Sequence, residues 1–157
     1  MNSFLWACRG IVFAVKTQRN MRIHLCAAFH VIGAGLITKI TASQWAAVFI
    51  CIGAVMSLEC LNTSIEALCD TIRPERDSGI AHTKDAAAGA VLIAAVASAV
   101  VGGIVFFNAD KVSSMYFFFR EKPLRILIPM ITLSLSVLFI RRAGKRESRT
   151  FRGRKKS

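Results

Sequence analysis

Q-W-A-A-V-F-I-C-I-G-A-V-M-S-L-E-C-L-N-T-S-I-E-A-L-C-D, from Gln44 to Asp70, begins as an apolar membrane-type run and ends in carboxylates. As one helix rising ~1.5 Å per residue it reaches about 40 Å, beyond the ~30 Å hydrocarbon core of a bilayer. Its last three turns therefore project to the interface, and those are the turns that carry the acids. Glu59, Asn62, Glu66 and Asp70 stand three, four and four residues apart, which aligns them in one stripe on one face. A helix end that is merely solvated scatters its charge around the polar face. A stripe of carboxylate, amide and carboxylate in an otherwise apolar helix reads instead as an inward-facing polar site. Ionisable groups at this depth are costly and mark function by default.

The wider stretch Ser57–Asp85 holds six of the nine acidic residues and separates two apolar segments. Pro74 and Gly79 mark Thr71–Thr83 as a loop, and a third helix is expected from near Lys84 to Phe107. That helix is built largely of Ala, Gly, Ser and Val, side chains small enough for close approach of transmembrane helices. Before Gln44, Ile23–Ile37 is a short first crossing, and Thr41 or Ser43 can cap the helix that follows. Met1–Lys16 reads as an amphipathic helix on the membrane surface rather than a signal peptide, since Arg9 interrupts it and no small-x-small cleavage site follows. Downstream, Asn108–Pro123 is expected to be a connecting loop in which Tyr116 and Phe117–Phe119 form an aromatic belt. Leu124–Ile140 is a fourth crossing of marginal length, with Pro129 placed to bend it.

Over 157 residues the hydrophobic fraction is 54% and the mean hydropathy +0.51, too apolar for a soluble domain of this size. The fold class expected is all-α integral membrane. The net charge of +12 does not point to nucleic acid, because Arg141–Ser157 alone contributes +8 of it directly after an apolar run. Such a segment is a positive-inside signal and disordered tail, or a contact for anionic headgroups. Four crossings put the N-terminus, the Thr71–Asp85 stretch and the tail on one side with sixteen Lys/Arg, against five on the other. The acidic stripe and both termini are thus expected at the cytoplasmic face. Cys8, Cys26, Cys51, Cys60 and Cys69 form no C-x-x-C pair and read as apolar packers. The His residues lack metal-ligand spacing. G-A-G-L-I-T-K at Gly33–Lys39 lacks the G-K-[ST] ending of a phosphate loop.

The stripe's residue types suit phosphoryl transfer. That chemistry needs hard oxygen ligands for Mg²⁺, a cation on the phosphates and a base for the attacking hydroxyl. Glu66, nearer the interface, suits the metal; Glu59, ~10 Å deeper along the helix, suits the base; Lys84 can meet phosphate as a point charge. A proton or ion relay would use similar residues, and that transporter reading predicts flux in liposomes without ATP.

E-C-L-N-T-S-I-E-A-L-C-D at Glu59–Asp70, followed by A-H-T-K-D-A-A-A-G-A-V-L at Ala81–Leu92, closely resembles the bacterial diacylglycerol kinase/undecaprenol kinase family. T-Q-R-N-M-R-I-H at Thr17–His24 resembles that family's E-R-N-x-R-I-H element, and the similarity covers about residues 4–107. The resemblance implies a surface helix and a three-helix transmembrane bundle, here followed by an extra fourth transmembrane helix. It divides the chain into a kinase-like domain over 1–107, an outer loop and extra helix over 108–140, and a basic cytoplasmic tail over 141–157. It implies a homotrimeric enzyme of a bacterial inner membrane that uses ATP and Mg²⁺ to phosphorylate a lipid hydroxyl. The R-N-x-R-I-H element is closer to the undecaprenol branch than to the diacylglycerol branch.

Carried over by position, Glu59 matches the general base and also faces substrate, and Glu66 matches a metal and ATP ligand. Glu75, Arg76, Asp77, Lys84 and Asp85 match the nucleotide side. Asn20, Arg22, His24 and Ala88 match the lipid side. Gln18 stands where the family has a second metal-binding Glu, and its neutral amide is a weaker ligand for metal and ATP. That departure motivates an alternative: a catalytically weakened member acting as a membrane binding or assembly protein.

Overall fold

The computed structural model describes residues 2–72 and 78–154, with side chains described as far as Arg142. Every described element is helical. The order is α1 (Asn2–Thr17), α2 (Arg19–Thr38), α3 (Ala42–Ile72), α4 (Ser78–Phe106), α5 (Ala109–Glu121), a 3-10 turn (Pro123–Ile126) and α6 (Leu127–Arg154). Four segments among the described residues are long and apolar enough to cross a bilayer: α2, α3, α4 and Pro123–Arg142. Large apolar side chains such as Leu92, Ile93, Val100 and Ile104 stay exposed along α4, as expected where lipid rather than water is the solvent.

α3 and α4 form the most extensive antiparallel pair, α2 lies against α3, and α6 packs on α2. The turn between α2 and α3 is closed by sequence-local chemistry. Lys39 takes a left-handed conformation (φ 50°, ψ 57°), and its N–H returns to the Gly35 carbonyl. Thr41 then caps α3 reciprocally. Its Oγ1 accepts the Gln44 N–H at 3.3 Å, while Gln44 Oε1 accepts the Thr41 N–H at 2.9 Å. Gly35 lets the helices meet, because a Cβ there would lie 2.8 Å from the Trp45 ring. Ile40, Val48 and Val105 make the buried cluster at this end, with Trp45, Ile52 and Val101 against it.

Four expectations need correction. Asn108–Pro123 is not a loop: Asn108 Oδ1 accepts the Lys111 N–H at 3.0 Å and starts α5. Lys111 Nζ then reaches back to the Thr38 and Lys39 carbonyls at 2.9 and 3.1 Å, satisfying the open end of α2. The connection after α3 is shorter than Thr71–Thr83, since α3 continues to Ile72 and α4 begins at Ser78. Lys84 and Asp85 therefore sit in the second turn of α4, not at its start, because Gly79 is tolerated in the first turn. The basic segment expected to be a disordered tail continues α6 to Arg154; Arg, Lys, Ala and Glu are good helix formers and no proline interrupts them. Pro129 lies in the first turn of α6, where its missing N–H costs no intrahelical bond.

Candidate active site

The polar stripe of α3 faces the junction of α1 and α2. One residue, Gln18, separates these two helices. Its backbone is extended (φ −96°, ψ 127°), and its side chain makes no cap bond to α2. Its amide turns to α3 instead, where Nε2 donates to Glu66 Oε2 at 2.7 Å. Asn62 Nδ2, one turn before Glu66 on the same face, donates to Glu66 Oε1 at 3.0 Å. Both oxygens of Glu66 are thus held by neutral amides.

Glu59 lies one layer deeper and is 1% exposed. Its carboxyl lies beside the backbone of Met21, itself fully buried in the first turn of α2. Neither Glu59 oxygen finds a hydrogen-bond partner of ordinary geometry, nor does Asn62 Oδ1. Leaving such oxygens buried and unpaired costs about 1–3 kcal/mol each, more for a charge. They mark a place that a hydroxyl or a cation would satisfy. Farther along the stripe Asp70 pairs with Lys84 of α4, both partly exposed. That pair brings the Lys84 ammonium to the outer end of the carboxylate row.

The site thus brings together Gln18, Glu59, Glu66 and Lys84 of the residues singled out in the sequence. Asn20, Asp85 and Ala88 are exposed, and His24 is half-buried. His24 lines an apolar groove of about 420 Å³ between α2, α3 and α4 that runs past Val55, Met56 and Ser98 to Phe107. Arg22 is buried, with its guanidinium on the Val15, Lys16 and Phe139 carbonyls rather than on open space. Glu75, Arg76 and Asp77 lie outside the described residues. Asn62 and Asp70 stand on the stripe without an assigned role in the sequence reading; their signal is the three- and four-residue spacing itself. The Met21 backbone has no signal in the sequence.

Mg²⁺ can be tested against this donor set. Among the described residues no three His, Cys, Asp or Glu side chains converge as a protein cage. Mg²⁺ in phosphoryl-transfer sites takes only one or two carboxylates and shares phosphate oxygens. Glu66, flanked by the unpaired Asn62 Oδ1 and by an amide at Gln18, supplies hard oxygens of that kind. The residues fit such an ion.

The family model for prokaryotic diacylglycerol kinase matches residues 5–106. The chain belongs to the prokaryotic diacylglycerol kinase family. It is 39% identical over 104 residues to an undecaprenol kinase of Bacillus subtilis, covering 66% of this chain and 85% of that protein. It is 40% identical over 102 residues to a diacylglycerol kinase of Synechocystis, covering 64% of this chain and 58% of that one. No solved structure matches the chain. Membership makes it a membrane lipid kinase with ATP as co-substrate. The matched residues of this prokaryotic diacylglycerol kinase homologue end with α4, so α5 and α6 lie outside the family match.

Proposed function

We propose that this kinase transfers the γ-phosphoryl group of ATP to the hydroxyl of a polyprenol, undecaprenol in preference to diacylglycerol, with Glu59 as general base. The observation that carries the reading is the buried Glu59 carboxyl with two unpaired oxygens, one turn from the head of the apolar groove. A lipid hydroxyl entering there donates its hydrogen bond to Glu59, which takes the proton as the oxygen attacks phosphorus. Glu66, Asn62 Oδ1 and a turned Gln18 amide would hold Mg²⁺. Bound there with ATP, Mg²⁺ neutralises charge on the phosphates. Lys84 exchanges its exposed Asp70 partner for phosphate at little cost, since such surface pairs are weak. Glu75, Arg76, Asp77 and Asp85 are assigned to the nucleotide, and Asn20, His24 and Ala88 to the lipid.

Two observations support a polyprenol. The R-N-M-R-I-H element resembles the undecaprenol branch more than the diacylglycerol branch, and the relative with 85% of its length covered is named an undecaprenol kinase. The groove also follows α4 from Ala95 to Phe107, about 18 Å of helix, toward the end opposite the site. A chain longer than one leaflet can use that depth. Purified protein mixed with Mg-ATP and a lipid panel tests this directly: faster labelling of diacylglycerol than of undecaprenol would reverse the substrate assignment.

The enzyme is further assigned to a bacterial cytoplasmic membrane as a homotrimer, with the site and both termini cytoplasmic. Open space around Gly89 of α4, which lies outside the groove, supports association of copies through that helix. Reporters at residues 39 and 157 appearing on the same side would refute the orientation.

One observation favours a second reading, a weakened member serving as a binding or assembly protein. Glu66 is already satisfied by two amides and needs no cation to be stable. Near-zero activity that rises steeply in Gln18→Glu would select that reading.

A further inference from the structure

The one-residue elbow between α1 and α2 sets where Gln18 and the first turn of α2 stand against Glu66 and Glu59. Its angle depends on what grips both arms, and Arg22 does. Nε donates to the Val15 carbonyl at 2.7 Å and Nη2 to the Lys16 carbonyl at 3.2 Å. Both acceptors are in the last turn of α1, where carbonyls lack intrahelical partners. The third arm of the guanidinium leaves this pair of helices: Nη1 donates to the Phe139 carbonyl on α6 at 2.9 Å, and the guanidinium carbon lies 4.9 Å from the Phe139 ring centroid. Arg22 is 7% exposed, whereas Phe139 keeps 38% of its surface open.

α6 reaches Arg22 by a regular seam. Thr132, Leu135, Ser136 and Phe139, at helical spacing, face Leu25, Cys26 and Phe29 of α2. Phe139 is the last residue of that seam and stands at the site end of the bundle. Only Arg offers the planar fork that serves three carbonyls and a ring face at once.

We propose that α6 is a working part of the kinase site: Phe139 holds the Arg22 guanidinium in the position that locks the α1–α2 elbow, making both positioning residues for Gln18 and the first turn of α2. This rests on the kinase reading above, and it gives the helix outside the family match a role beyond anchoring.

The test pairs amide hydrogen exchange with kinetics on the full chain in lipid nanodiscs. Phe139→Leu keeps apolar bulk and loses the ring. It is expected to speed exchange of residues 15–24 and to lower kcat, each about two- to fivefold, the range carried by a cation–ring contact whose ring is partly exposed. KM for ATP and lipid should stay within about twofold. Phe139→Trp restores both quantities. Arg22→Lys, which loses the fork on the carbonyls as well as the ring stack, shows a defect at least as large, and adding Phe139→Leu to it makes matters no worse, because both act through one clamp. Leu138→Ala, at a position outside the row that faces α2, is the control for lost volume.

Unchanged exchange in Phe139→Leu overturns the clamp whatever the activity. Faster exchange with unchanged kcat overturns the positioning role. Faster exchange in a parent chain that phosphorylates no lipid sinks the kinase reading and leaves the clamp standing. If Arg22→Lys does not fold, the two Phe139 variants decide alone.

Discussion

Glu59→Gln separates chemistry from stability at a single side chain. The substitution is isosteric at a position 1% exposed, so packing is unchanged. It removes the only atom set assigned to take the lipid hydroxyl's proton, and general-base groups are worth about 10²–10⁴ in rate. The expected loss in kcat is therefore at least about 100-fold, near 3 kcal/mol of transition-state free energy. Stability should move the other way. The wild-type carboxyl is buried with both oxygens unpaired, and Asn62, three residues on, has an unpaired Oδ1. An amide at 59 carries no charge and brings N–H donors to that face. One new hydrogen bond is worth about 1 kcal/mol, or roughly 2–4 °C in Tm for a chain of this length. Initial rates of lipid phosphorylation under saturating Mg-ATP, set beside thermal unfolding of the same preparations, read out both. A variant that keeps more than a tenth of the activity, or that melts several degrees lower, would refute the assignment of Glu59 as a buried, unpaired base.

Other perturbations follow from the same contacts. Gln18→Glu sets a second carboxylate against Glu66 where the amide now lies at 2.7 Å. Repulsion on the order of 2–4 kcal/mol before relaxation should lower Tm in EDTA and be recovered by millimolar Mg²⁺; a Tm indifferent to chelation would count against cation binding between 18 and 66. Gly35→Ala drives a Cβ to 2.8 Å from a Trp45 ring that is already stacked on Phe49. Overpacking of about 1–3 kcal/mol should outweigh the helix-propensity gain of about 1 kcal/mol, so chemical denaturation should show net loss with KM for ATP unchanged. Lys111→Met removes the ammonium from the Thr38 and Lys39 carbonyls; a loss of about 1–2 kcal/mol and faster amide exchange at residues 36–40 are expected, and exchange equal to wild type would dismiss the cap.

The sequence made some parts of this molecule readable and hid others for physical reasons. α2, α3 and α4 announce themselves because a membrane span must be apolar along its whole length, and the acid stripe stands out against that background. The Thr41–Gln44 cap is readable because a capping box is a local pattern. α5 escaped because its residues alternate charge, hydroxyl and aromatic with little net hydropathy; Asn108 was its one start signal. The sequence hides the start of α4 because Gly79 looks like a breaker, yet in a first turn it breaks nothing. At the candidate site, residue types and spacing within α3 put Glu59 and Glu66 on one face, and the structure turns that face toward the α1–α2 junction. What lay beyond reach was long-range: the amide of Gln18 meeting Glu66 across 48 residues, and the guanidinium of Arg22 meeting Phe139 across 117. No local pattern encodes such pairings, so the motif position of Arg22 does not reveal its bonds to the Val15, Lys16 and Phe139 carbonyls.

The unbroken run of α6 from Leu127 to Arg154 has a practical consequence. Some 22 Å of the same helix extends past Phe139 at ~1.5 Å per residue. If the proposed clamp holds, a purification handle, fluorescent fusion or surface tether beyond Arg154 follows a helix that also carries the Arg22 contact. Under that proposal, immobilising or crowding the arm should disturb the elbow. Rates measured on C-terminally tethered protein should be compared with those from a chain whose tag has been cleaved off.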